Sequence, residues 1–165
     1  MKETKDEVIG ILMKKMDPRR DEIFADIGCY TGKVSIEASK YFKKVYSVDI
    51  DKEAVKNVEK IKSENMEVFY MRGEDFLRKY NYDKVFIGGT KNYDQMLNVA
   101  SKKAKKIIAN VARLETASNI VKKMREVGIF EEMLLINISK SYELAGEIAF
   151  RTLNPIFMVI GSKRC

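Results

Sequence analysis

Histidine is absent from this 165-residue chain, and only two prolines and two cysteines are present. The missing histidine excludes a Ser-His-Asp triad, a Cys-His pair and any His-ligated zinc site. Chemistry must then come from carboxylates, lysines, tyrosines, backbone dipoles or a bound cofactor. Cys29 sits in a glycine turn and Cys165 is the last residue. Neither has a metal-ligand neighbour, so both read as free thiols and no protein-bound metal is expected. No apolar stretch is long enough to span a bilayer. Met1 to Glu7 lacks the apolar core of a signal peptide, so the expected location is cytoplasmic, with no membrane partner. The length suits one domain over residues 1–165.

What is abundant is positive charge. The formal net charge is +7, with lysine pairs at Lys43-Lys44, Lys102-Lys103, Lys105-Lys106 and Lys122-Lys123. The pairs are dispersed and lack interleaved aromatics, so they read as solvated helix faces. A polyanionic partner, either nucleic acid or a substrate with several carboxylates, is the other reading.

The stretch Phe24-Ala25-Asp26-Ile27-Gly28-Cys29-Tyr30-Thr31-Gly32 organises the rest. Ile23 to Ile27 reads as a buried strand, Gly28 to Gly32 as a tight turn, and Val34, Ala38 and Phe42 mark a helix running to about Tyr41. Strand, glycine turn and helix together present backbone N–H groups to a ligand. A second strand, Val45 to Val48, ends at Asp49. Its spacing from the turn is what a nucleoside-binding βαβ unit needs, with the carboxylate on ribose hydroxyls. Asp49 could instead cap the next helix, but Asp51 is better placed for that.

Before the turn, Thr4 to Met16 reads as a helix burying Val8, Ile11, Leu12 and Met16, with Thr4 and Glu7 as a capping box. After it come a helix from Asp51, strand Met66 to Met71, a short helix Phe76 to Lys79 and strand Tyr82 to Ile87. A helix at Asp94 to Ser101, strand Lys106 to Val111 and a helix at Glu115 to Val127 follow, the last closed by Gly128. Met133 to Ile138 and Pro155 to Ile160 read as a final antiparallel pair joined by a long connection. The expected class is α/β: Rossmann-like, with a seven-stranded, mostly parallel sheet, one late antiparallel strand, and helices on both faces.

The ordered set resembles the class I S-adenosylmethionine-dependent methyltransferases. Asp26 to Gly32 resembles their first motif, Asp49 the ribose-binding acid, and Gly73-Glu74-Asp75 the adenine-side motif. The strand leading to Gly88-Gly89 resembles their fourth motif. A narrower resemblance covers nearly the whole chain. Thr4-Lys5-Asp6-Glu7-Val8, Val34 to Ala38, Ile87-Gly88-Gly89, Leu114-Glu115-Thr116 and Asn154-Pro155 are similar to the decarboxylating cobalt-precorrin-6B C15-methyltransferases of cobalamin biosynthesis (the CbiT family, also called precorrin-8W decarboxylases). The chain departs from that pattern in three places. Tyr30 and Ile9 stand where glycine and arginine are usual, and Ser139-Lys140-Ser141 replaces an arginine-glycine segment.

The resemblance implies a methyltransferase that takes S-adenosylmethionine as donor, methylates C15 of a cobalt-containing tetrapyrrole and removes the C12 acetate carboxylate. It also implies a homotetramer. Cofactor contacts are expected from Thr4, Asp26, Gly28, Cys29, Tyr30, Thr31, Gly32, Asp49, Glu74 and Asp75. Of these, Tyr30 is expected to use its backbone only, and Glu74 and Asp75 compete for the adenine amino group. Substrate contacts are expected from Gly88, Gly89 and Thr90 at one strand exit and from Asn110, Arg113 and Glu115 at the next. Tyr93 and Tyr142 could flank a flat macrocycle, though packing is the plainer role for both. No general acid stands out. A tRNA or other nucleic-acid methyltransferase, and a non-catalytic S-adenosylmethionine-binding module, are the alternatives that the residues leave open.

Overall fold

The computed structural model describes residues 3–89 and 91–163. The chain runs α1 (Asp6–Met16), β1 (Ile23–Ile27), α2 (Lys33–Ser39), β2 (Lys44–Asp49), α3 (Lys52–Ile61), β3 (Met66–Tyr70), α4 (Gly73–Lys79) and β4 (Lys84–Ile87). It continues through α5 (Tyr93–Ala100), β5 (Lys106–Val111), α6 (Leu114–Glu126), β6 (Phe130–Ile136), β7 (Ser139–Leu144), β8 (Glu147–Thr152) and β9 (Ile156–Ser162).

The strand cores are apolar on both faces, as strands covered on both sides must be. Phe24, Val45, Phe86 and Ile108 meet Val8, Leu12 and Met16 of α1, Ala38 of α2 and Val58 of α3. Ala25, Val48, Val85 and Ile107 face Phe76 and Leu77 of α4, Leu97 of α5 and Ile120 of α6. The seven-stranded sheet has the order β3-β2-β1-β4-β5-β9-β6. β1 to β5 are parallel, and β9 runs antiparallel to both β5 and β6. This is the class I methyltransferase fold that the sequence predicts. Strand order reverses between β1 and β4, which opens a crevice beyond their carboxyl ends.

Four local expectations are corrected. No capping box forms at Thr4: the N-cap of α1 is Lys5, without a side-chain bond. Glu7 pairs instead with Lys140 of β7 at 2.8 Å. Ile9, rather than Ile11, is fully buried, and it belongs to the α1–α3 core. α4 begins at Gly73, three residues early, and Gly73 packs against Ile27 and Met96 with no room for a Cβ. The long connection before β9 is a β7–β8 hairpin, turned at Ala145 and Gly146, both with positive φ. Its faces are mostly exposed, so no buried period marks it.

Candidate functional site

The turn after β1 is held down from below. Gly28 and Cys29 donate their N–H groups to the Val48 carbonyl at 2.8 and 3.1 Å, and Gly88 donates to the Ile27 carbonyl at 2.8 Å. Gly28 has φ +84°, and a Cβ there would stand 2.8 Å from the Gly89 nitrogen. Only glycine meets both demands. Tyr30 also has a positive φ, 46°, which is the conformation that glycine would adopt without strain.

Asp49 ends β2 and is 7% exposed. One of its carboxylate oxygens accepts from the Tyr30 N–H at 3.0 Å and the other from the Asp51 N–H at 2.9 Å. Asp51 performs the capping of α3, accepting from the Glu53 N–H at 2.9 Å. Asp49 is thereby fixed at the lip of a cleft of about 470 Å³ walled by Gly28, Ile50, Gly73, Glu74, Gly89 and Met96. Both carboxylate oxygens keep a free lone pair for a ligand hydroxyl.

Glu74 and Asp75 separate cleanly. Glu74 is buried in the cleft wall and accepts from the Asn92 amide at 3.2 Å. Asp75 turns outward to Arg78 at 3.3 Å and lines no cavity described for the chain. The helical start at Gly73 decides this, since neighbouring residues on one turn cannot share a face.

Asp26 sits beneath the turn, 1% exposed. One oxygen accepts from the Ser35 hydroxyl at 2.6 Å, and Ser35 accepts in turn from Ser47 at 2.6 Å. The other oxygen is buried without a partner. Burial, reinforced by the nearby Asp49 charge, pushes the carboxyl up to about 7 from an ordinary 3.8, against the pull of Ser35. Asp26, Gly28, Cys29, Tyr30, Thr31, Thr4 and Gly88 enclose a void of about 30 Å³, which has room for a single small polar group. The Cys29 thiol is buried, and burial raises its pKa, so it is no nucleophile.

A second cleft of about 310 Å³ opens on the α1 side of the sheet, walled by Thr4, Lys5, Val8, Phe86, Gly88, Asn110, Ala112 and Asn154. It shares Thr4, Phe86 and Gly88 with the small void. Gly28 links that void to the first cleft. Asn110 is 9% exposed, and neither its amide nitrogen nor its amide oxygen has a partner. Leaving such a group unpaired costs about 1–3 kcal/mol. Arg113 and Glu115 stand exposed past the end of β5 and line neither cleft. Thr90 lies outside the described residues. Tyr93 packs on the core, and Arg151 covers the Tyr142 ring at 4.8 Å, so both serve packing.

Sequence reasoning gave no site role to Asn92 in the first cleft, to Asn154 in the second, or to Ser35 and Ser47, which form the hydrogen-bond chain beneath Asp26. Asn92 carries the clearest signal, an amide just past the Gly88-Gly89 exit.

Residues 2–163 match the model of the precorrin methyltransferase domain family. A protein of Archaeoglobus fulgidus named "probable cobalt-precorrin-6B C(15)-methyltransferase (decarboxylating)" is 44% identical over 97% of both chains. One of the same name from Methanosarcina acetivorans is 35% identical over 98% of this chain and 94% of its own. In fold, the chain is similar to the crystal structure of precorrin 8W decarboxylase from Methanobacterium thermoautotrophicum. That match has a TM-score of 0.91 at 23% identity and covers 98% of this chain and 92% of the other. With its glycine turn, its strand-end acids and a match spanning nearly every residue, the chain belongs to the precorrin methyltransferase family.

Proposed function

We propose that the chain methylates C15 of cobalt-precorrin-6B from S-adenosylmethionine and removes the carboxylate of the C12 acetate. The observation that carries this reading is the meeting of two clefts at the Gly28–Gly88 contact. One is acid-walled by Asp49 and Glu74, and the other holds Thr4, Lys5 and Asn110. The relatives' names support the choice of acceptor.

The residues present fit the donor. Asp49 takes the ribose hydroxyls, and Glu74 rather than Asp75 takes the adenine amino group. The unpartnered oxygen of Asp26 takes the methionine ammonium. Gly28, Cys29, Tyr30, Thr31 and Gly32 approach through backbone atoms, and Thr4 closes the methionine end. When bound, the donor supplies a methyl already activated on a sulfonium. The chain therefore needs no general acid; it aligns the acceptor carbon and keeps water out. Gly88 and Gly89 keep the backbone low where that carbon approaches, while Arg113 and Glu115, expected at the acceptor, stand exposed outside both clefts.

The working form is a homotetramer. The β7–β8 hairpin supports this, because it leaves Leu144, Ile148 and Phe150 58%, 75% and 68% exposed. Light scattering that gave a monomer at micromolar concentration would refute it.

Incubation with cobalt-precorrin-6B and labelled donor tests the activity. Mass spectrometry should find one gained methyl and one lost carbon dioxide. Tight donor binding with no product from this acceptor would overturn the reading.

A further inference from the structure

The second cleft contains a polar group that nothing in the fold explains. Asn110 lies near the end of β5, one step past Ile108 on the face that packs against α1. Its neighbours in the sheet are Met158 of β9 and the strand β4. Thr4 and Lys5, just before α1, and Val8 within it line the same cleft. Both amide atoms are buried, and both lack a partner. Buried polar groups are normally paired, so an orphan amide in a cleft wall marks the place of a ligand group. Glu3 and Lys5 are the charged residues of this cleft among those described, and Lys5 reaches the Asn154 carbonyl at 3.5 Å.

We propose that Asn110 holds the acetate carboxylate that the acceptor loses, as its specificity-determining hydrogen-bond donor. The inference rests on the function proposed above and assigns one substituent of that substrate to one side chain. The chemistry favours an amide here over a cation. Breaking the bond from the acetate methylene to the carboxyl carbon releases carbon dioxide and leaves the bonding electron pair in the conjugated macrocycle. That pair forms the C15–methyl bond, while the old methyl–sulfur pair stays on sulfur. No proton is taken up in this balance. The carboxylate charge disappears during the step, so a lysine or arginine would stabilise the ground state more than the transition state and slow the reaction. A neutral donor in a dry wall orients the carboxylate without neutralising it. The Asn110 nitrogen makes that bond, and its oxygen is left to accept from a second donor on the acceptor or from water.

The test uses Asn110→Leu and Asn110→Asp in the full chain. The leucine fills the same space, and because the amide has no partner the variant should melt no lower than wild type. Binding of cobalt-precorrin-6B is followed by visible absorbance without donor, and donor binding by calorimetry. Asn110→Leu should weaken the acceptor about ten- to hundredfold, the range for a hydrogen bond to a charged group. Asn110→Asp at alkaline pH should weaken it further by repulsion. Donor affinity should stay within twofold in both. The decarboxylated product, which lacks that carboxylate, should bind wild type and Asn110→Leu alike.

Equal losses for substrate and product would make Asn110 a shaper of the cleft and overturn the assignment. A loss confined to the donor would overturn it too. Wild type that neither binds nor converts cobalt-precorrin-6B would overturn the proposed function itself, and this assignment with it.

Discussion

Asp26 makes the protein's stability run against the usual direction of an acid. Its folded carboxyl titrates near 7, while in the unfolded chain it titrates near 3.8. Between those values the folded state keeps a proton that the unfolded state has shed. The contribution of Asp26 to stability is therefore full below about pH 4, falls as pH rises towards 7, and is flat above that. The gap is about three decades at about 1.4 kcal/mol each, so this group alone removes up to about 4 kcal/mol. The amide of an Asp26→Asn variant cannot ionise, so the variant should lack this fall in stability and exceed wild type by about 2–4 kcal/mol at pH 8. Urea unfolding of both proteins from pH 4 to 8 measures this. On the proposed function, the donor's ammonium sits on Asp26 and would reverse the effect by stabilising the ionised form. Binding below pH 7 must then release a proton, and affinity should fall about tenfold for each unit the pH is lowered. Calorimetry in two buffers of different ionisation enthalpy counts that proton. A wild-type-to-variant difference that is the same at pH 5 and pH 8 would mean that Asp26 is charged throughout, and the burial argument would fail.

Asp49→Ala should weaken donor binding by more than about a hundredfold and lower the melting point, since the Tyr30 and Asp51 N–H groups lose their acceptor. By calorimetry Glu74→Gln should cost the donor about tenfold, while Asp75→Asn, on an exposed face, should change it less than twofold. Tyr30→Gly relieves a positive φ and should raise stability by about 0.5–1 kcal/mol, with donor affinity unchanged. A large affinity change in that titration would put the ring itself in the donor site. At the opposite end of the sheet Lys84, 6% exposed in its side chain, pairs with Glu22 at 2.9 Å. Lys84→Met should cost about 3–5 kcal/mol in urea unfolding, and adding Glu22→Gln should recover part of it.

Much of the fold was legible because local rules and tertiary packing agree. Ile23 to Ile27 and Lys106 to Val111 are apolar runs of strand length, and they fold as such. Gly28 and Gly128 stand where the backbone takes a positive φ. Asp51 is an N-cap by residue type and by geometry. Each is settled within a few residues of itself. The β7–β8 hairpin was not legible: a ribbon exposed on most of both faces carries no burial period, and its Ala145-Gly146 turn lacks the Asn-Gly signature.

The sequence by itself determined the order of elements outside the β7–β8 hairpin, the glycine turn and the acid that ends β2, because backbone conformation and strand periodicity are local properties. The choice of Glu74 over Asp75, the burial of Asp26 against Ser35 and Ser47, and the unpartnered amide of Asn110 were decided only by the tertiary structure. Each depends on groups far apart in the chain. Burial, and with it the cost of a charge or an unpaired amide, exists only once those groups have excluded water together.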